Sequence, residues 1–390
     1  MQETPKLWGQ LSMQSAKEIL RRLVAIPSVS SLSNHALLDE IHKILGSRGW
    51  HVERQVYQAS DGLEKANLIA FPLRFRETLP NVELLFVCHT DTVPFRQEWS
   101  GAVHLEEVDG ELHGCGSCDV KGSLACLLSA ALQVDPEAIA LPVAYAFTAE
   151  EEIGCIGATK LVASEKLRPR RVIVCEPTSL RPATAGKGYG LCEVQVVGRE
   201  AHSAFPAKGA SAIQAAAQVL VSLEHWQKDT ARTTDARFSP PVTTFNVGVL
   251  RGGSAKNIVA GDCSFLVEWR PLPSEPPEFG GEIVRSLVQQ VALRYPECRI
   301  EVKVLRADRG FANDGKSRLG PALSAMLSRP EIGISFGSEA TRFAPFAEDV
   351  VVVGPGDMET AHSERECVPV RELEEWTSTV TEILVNGIRV

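Results

Sequence analysis

Apolar, β-branched runs alternating with amphipathic stretches constrain this chain more than any other feature. Residues 67–72, 82–88, 141–148 and 171–175 read as short strands, and residues 15–26, 37–46 and 122–134 as helices with one buried face. Gly46 and Gly49 are stop signals after the second helix. A chain that alternates in this way is expected to bury a mostly parallel sheet under helices, an α/β fold. The middle departs from the pattern. A strand over 188–197, a helix over 210–227, strands over 242–250 and 257–269, a helix over 281–294 and a strand over 299–305 spell βαββαβ, expected for a compact α+β domain inserted into the first. One edge of its sheet is open for pairing with a second subunit. A helix over 317–327, strands over 332–335 and 350–354 and a helix over 370–385 then resume the α/β pattern. The expected division is a discontinuous domain, 1–182 and 306–390, interrupted by an inserted domain, 183–305.

At 390 residues the chain exceeds one ordinary hydrophobic core, which agrees with two domains. A net charge of −9 with no long Lys/Arg run argues against nucleic acid and against an anionic membrane surface, and leaves small molecules as the expected ligands. No apolar run is long enough to span a bilayer, and the polar start Met1–Lys6 lacks the apolar core of a signal peptide. Ten cysteines without an export signal read as reduced thiols, so the cytoplasm is expected. The pair Cys115 and Cys118 has zinc-ribbon spacing but no matching second pair.

Chemistry-bearing residues follow the strands. His89 and Asp91 come after 82–88, Glu151 and Glu152 after 141–148, and Glu176 after 171–175. In an open α/β sheet, ligands bind in the crevice outside the carboxyl ends of the strands, so one pocket can gather all of these. Histidines and carboxylates converging without thiolates suit zinc, cobalt or manganese, and a surplus of carboxylates favours two ions sharing a bridge, for which Asp119 is the candidate. The run Glu150-Glu151-Glu152 is either an acidic helix start or a divided pair, one carboxylate on metal and the other free to take a proton from water.

Six motifs stand in one order: Cys88-His89-Thr90-Asp91-Thr92-Val93-Pro94, Gly114–Gly122 with Asp119, Thr148–Gly154 with the three glutamates, Cys175-Glu176-Pro177-Thr178, Ala201-His202-Ser203, and Gly354-Pro355-Gly356-Asp357 followed by Ala361-His362-Ser363. Together they resemble the acetylornithine deacetylase, succinyl-diaminopimelate desuccinylase and carboxypeptidase G2 family of metallohydrolases, over nearly the whole chain. The resemblance implies two divalent ions, zinc with cobalt able to substitute. Asp119 would bridge them, His89 and Glu176 completing one and Glu152 and His362 the other. It also implies Glu151 as general base, Asp91 as the partner of the other imidazole N–H of His89, and His202 as an oxyanion stabiliser. By the same resemblance the inserted domain is a ferredoxin-like lid that also makes a homodimer, and Asn257 and Arg270 contact substrate. Two residues depart from the family pattern. Cys115 replaces the usual Arg, which would loosen the loop carrying Asp119, and Glu268 replaces an Asp two residues before Arg270.

The loop Gly337-Ser338-Glu339-Ala340-Thr341-Arg342-Phe343 gives mixed signals on substrate. Its Ser-Glu-Ala part resembles acetylornithine deacetylases, with Glu339 placed to pair with an ornithine ammonium. Arg342-Phe343 resembles the desuccinylases, whose acyl group carries a carboxylate that Arg342 would bind. The expectation is deacetylation of N-acetyl-L-ornithine, then desuccinylation of N-succinyl-L,L-diaminopimelate, then a related carboxypeptidase or aminoacylase. A non-catalytic binding protein on the same fold should have lost a ligand or the base, and here every position is filled.

Overall fold

A computed structural model describes residues 15–229 and 233–388; the start Met1–Lys6 lies outside the described residues. In order, the chain forms α1 (Ala16–Val24), α2 (His35–Gly46), β1 (Trp50–Gln58), β2 (Glu64–Pro72), β3 (Asn81–His89), β4 (Glu106–Val108), β5 (Glu111–His113), α3 (Lys121–Gln133), β6 (Val143–Thr148), α4 (Ile156–Ala163), β7 (Arg168–Val174) and β8 (Ala183–Gly186). There follow β9 (Tyr189–Val197), β10 (Ala201–His202), α5 (Ala212–Asp229), β11 (Thr244–Gly252), β12 (Ile258–Val259), β13 (Asp262–Arg270), α6 (Phe279–Ala292), β14 (Arg299–Asp308) and β15 (Phe311–Ala312). The chain closes with α7 (Leu319–Leu327), β16 (Ile332–Ile334), α8 (Ala340–Phe343), β17 (Asp349–Val352), β18 (Cys367–Pro369) and α9 (Val370–Asn386). These elements fall into two compact units, Met1–Ala183 with Lys316–Glu331 and Ser338–Val390, and Thr184–Gly315 with Ile332–Gly337.

In the first unit the strand order is β1-β2-β6-β3-β7-β17. Strand β3 runs parallel to β6 and β7, and β17 parallel to β7, while β1 and β2 are antiparallel to their neighbours. The mostly parallel sheet expected from sequence is therefore parallel only in its centre. Strand β1 escaped the sequence reading because its run His51-Val52-Glu53-Arg54-Gln55 is largely polar, as suits an edge strand that folds back on β2. Central β6 is buried along its whole length, the pattern of a strand covered on both faces. Helix α3 is buried from Lys121 to Ala131 and packs between α1 and α9, its small residues allowing close approach. At the start of α1, Ser15 and Glu18 form a reciprocal capping box.

In the second unit, β9, β11, β13 and β14 form an antiparallel sheet in the order β11-β13-β9-β14, and α5 and α6 pack on it. Burial alternates along β9 and β13, so one face of the sheet makes the core with the helices. The strand expected over 257–269 is two: β12 pairs with β10, and β13 joins the main sheet after a break at Ala260-Gly261. Among the described residues no helix is long and apolar enough to cross a membrane.

Candidate metal centre

Strands β6, β3 and β7 are adjacent and parallel, so their carboxyl ends lie side by side. His89 ends β3, Glu151 and Glu152 follow β6, and Glu176 follows β7, which brings these four side chains to one rim. Asp119 arrives on the loop before α3, and His362 on the loop between β17 and β18. His89 Nε2 lies 3.0 Å from Asp119 Oδ1 and 3.8 Å from Glu176 Oε2. His362 Nε2 lies 3.1 Å from both Asp119 Oδ2 and Glu152 Oε2. Asp119 thus turns one oxygen toward each histidine, and two ligand clusters, His89–Asp119–Glu176 and Asp119–Glu152–His362, share it.

The orientation of each group has a visible cause. His89 Nδ1 donates to the main-chain carbonyl of Asp91 at 3.0 Å, which turns Nε2 toward Asp119. The Asp91 carboxylate, expected in that role, stands 3.7 Å from Nδ1. It accepts instead from Ser30 Oγ at 2.6 Å and from the backbone N–H groups of Glu151 at 3.0 Å and Glu152 at 3.3 Å, and so fixes the loop that presents both glutamates. That loop turns through Glu150, a non-glycine residue at φ 59°, and His362 sits at φ 57°. Left-handed backbone at such residues is strained. Gly157 lets α4 close on the end of β6, since a Cβ there would stand 2.3 Å from the carbonyl oxygen of Ala149. Glu151 is half-buried beside this cluster, and its Oε1 accepts the Cys155 thiol at 3.2 Å.

Sequence reasoning missed Glu366. Its Oε2 accepts from Gly116 N–H, and its Oε1 from Cys118 N–H and Asp119 N–H, each at 3.0 Å. The loop that Cys115 was expected to loosen is held by this one buried carboxylate. Three backbone donors leave no sequence signature, so only the position of an acidic residue four after His362 hinted at it.

Charge is crowded here. Burial pushes the Glu151 carboxyl up to about 8, burial raises Glu152 and Glu176 as well, and burial pushes Glu339 up to about 7. The bonds to Asp119 and Glu152 hold the His362 imidazole up to about 10. Asp119 is pulled down by His362 and His89 against its burial. Glu152 Oε1 is buried with no partner. Hard oxygen and imidazole donors, converging in two overlapping sets around an excess of negative charge, fit a dinuclear divalent-metal site of the zinc type. A cavity of about 440 Å³ beside it is lined by Phe95, Arg96, Trp99, His362 and Arg365. A larger one, about 700 Å³, lies at the opposite ends of β3 and β7, around Asn81 and Arg168, away from this chemistry.

Two expected substrate residues lie in the first unit. Glu339 is fully buried. Its charge still acts on Glu151 and Glu176. Arg342 Nη2 donates to the Gly154 carbonyl at 3.2 Å, on the loop after Glu152. His202, Asn257 and Arg270 belong to the second unit. There β10 brings His202 opposite Ile258, and the Asn257 carbonyl accepts from Ser203 N–H at 3.0 Å, so the first two are neighbours. Arg270 donates to Glu268 at 2.8 Å, and its guanidinium lies 4.6 Å from the centre of the Tyr189 ring.

Comparison with known proteins agrees with this geometry. Residues 85–386 match the profile of Peptidase family M20/M25/M40. The chain is 39% identical over 363 residues to the acetylornithine deacetylase of Myxococcus xanthus, covering 93% of this chain and 94% of that one. It is 30% identical over 383 residues to the acetylornithine deacetylase of Pectobacterium carotovorum, covering 94% and 96%. Among solved structures it is similar to a tripeptidase from Staphylococcus aureus, with TM-score 0.77, 22% identity and coverage of 97% of this chain and 99% of that one. An aminopeptidase from Bacillus cereus superposes with TM-score 0.74 at 21% identity, again over 97% and 99%. At those identities the solved structures speak for the fold alone.

Proposed function

From the premise that this chain belongs to Peptidase family M20/M25/M40, we propose that it removes the acetyl group from N-acetyl-L-ornithine, giving L-ornithine and acetate. The chain is a metal-dependent amidohydrolase of the acetylornithine deacetylase type, acting on N-acyl amino acids. The observation that carries the chemistry is Asp119, with one oxygen toward each of two histidines in overlapping ligand sets and Glu151 alongside.

In this reading two divalent ions, zinc with cobalt able to replace it, would be held by His89, Asp119 and Glu176 and by Asp119, Glu152 and His362. When bound they would supply Lewis acidity toward the amide carbonyl and toward water. Glu151 takes the proton from the attacking water and hands it to the leaving amine nitrogen. Asp91 serves this step by holding the backbone of Glu151 and Glu152 in place. His202 steadies the developing oxyanion, while Asn257 and Arg270 contact the substrate. These three roles rest on the family resemblance, and that of His202 makes closure of the inserted domain, 183–305, over the catalytic domain, 1–182 and 306–390, part of turnover. The inserted domain is read as a ferredoxin-like lid and as the homodimer contact; edge strand β11, with exposed Val249 and Leu250, supports the pairing. Ten free thiols support a reducing compartment, the cytoplasm.

The test is hydrolysis by the chelated and then zinc- or cobalt-restored protein on N-acetyl-L-ornithine and N-succinyl-L,L-diaminopimelate at equal concentrations. Preference for the acetyl substrate is expected, since the Arg342 guanidinium that a succinyl carboxylate would need is engaged on Gly154. Preference for the succinyl substrate would overturn the assignment and make Arg342 its specificity residue. For Glu339→Gln an unchanged KM for acetylornithine is expected from the burial of that side chain; a raised KM would restore it as the ammonium partner.

A further inference from the structure

We propose that Glu111, His113 and Cys367 form a third divalent-cation site, suited to zinc, on the outer face of the small sheet β4-β5-β18. Strand geometry assembles it. Glu111 and His113 are two apart on β5 and so project from the same face, while Leu112 between them is fully buried on the other. In the antiparallel register His113 stands directly opposite Cys367 of β18, which puts the thiol on the face of the imidazole and the carboxylate.

The distances suit a small ion. Cys367 Sγ lies 3.4 Å from Glu111 Oε2, and His113 Nε2 lies 3.8 Å from the same oxygen. Zinc bonds of about 2.0–2.3 Å in a tetrahedron set its ligands about 3.3–3.8 Å apart, so both separations are already those of a coordination sphere. One thiolate, one imidazole and one carboxylate are a borderline-soft donor set, which selects zinc over magnesium or calcium. The Glu111 and His113 side chains are 49% and 33% exposed, so an ion reaches the site without opening the fold. Water fills the fourth position, or the carboxylate of Glu106, which β4 places opposite His113. As the sulfur–metal bond forms, the thiol proton leaves to solvent.

The dinuclear centre contains no thiolate in either ligand set, which gives the third site its own signature. Protein stripped of metal by a chelator is titrated with Co²⁺ and followed in the near ultraviolet. The expected result is a thiolate-to-cobalt charge-transfer band whose final intensity is that of one thiolate–cobalt bond per chain and which is lost in Cys367→Ser and in His113→Ala. Cobalt entering the dinuclear centre produces no such band. No band in the wild-type protein, or a band that survives in either variant, overturns the proposal. Glu111→Gln alters a half-exposed side chain and leaves the core untouched; about tenfold weaker cobalt binding is expected there, and unchanged binding overturns the proposal as well.

Discussion

Asp119 can face two histidines at once because Glu366 holds its loop by three backbone N–H groups. Glu366→Ala leaves three buried donors unpaired, each costing about 1–3 kcal/mol, and frees the bridging carboxylate to move. The expected outcome is metal affinity lower by about 10–100-fold, read by competition with a chromophoric chelator; unchanged affinity would show that the loop keeps its shape unaided. Glu151→Gln should do the reverse, retaining both ions and losing turnover by a factor of about 10² or more, so metal analysis beside turnover separates the two residues. Near-normal turnover in Glu151→Gln would remove it from the mechanism. The candidate ligands were legible in sequence because each follows a strand or sits in a motif. Glu366 was not, because its partners are peptide groups, which every residue carries.

Single elements show where periodicity suffices and where it fails. Strands β3, β6 and β7 were legible as apolar runs because they are buried on both faces, whereas polar β1 and the break between β12 and β13 were set by edge pairing and by the backbone at Gly261. In the second unit the fully buried Trp269 packs against two glycines: a Cβ at Gly190 would stand 1.8 Å from its ring and one at Gly280 2.2 Å. Nothing in the periodicity of β9 or α6 marks those glycines as the floor and wall of an indole. Gly190→Ala should destabilise this unit by about 1–3 kcal/mol through overpacking, seen as an earlier urea transition. A transition unmoved by the change would mean that the sheet relaxes around the added methyl.

At the scale of the whole molecule, four carboxylates crowded beside two imidazoles tie stability to the ions they suit. Ions present at about 100 times their dissociation constant stabilise the folded chain by about 2.7 kcal/mol per independent site. Chelation should therefore lower the thermal midpoint and zinc should restore it; a midpoint indifferent to chelation would count against the dinuclear reading. Light scattering is expected to give a dimer, and a monomer would remove β11 as the contact. The sequence by itself determined the α/β class, the inserted βαββαβ segment, and the identity and order of the candidate ligands, because burial patterns and motifs are local in the chain. Only the tertiary structure decided that the Asp91 carboxylate holds the glutamate loop while its carbonyl orients His89, that Glu366 clamps the loop of Asp119, that Glu339 is covered, and that Cys367 meets His113. Those facts depend on where backbone groups far apart in sequence come to rest, and peptide N–H and C=O groups are chemically alike at almost every position.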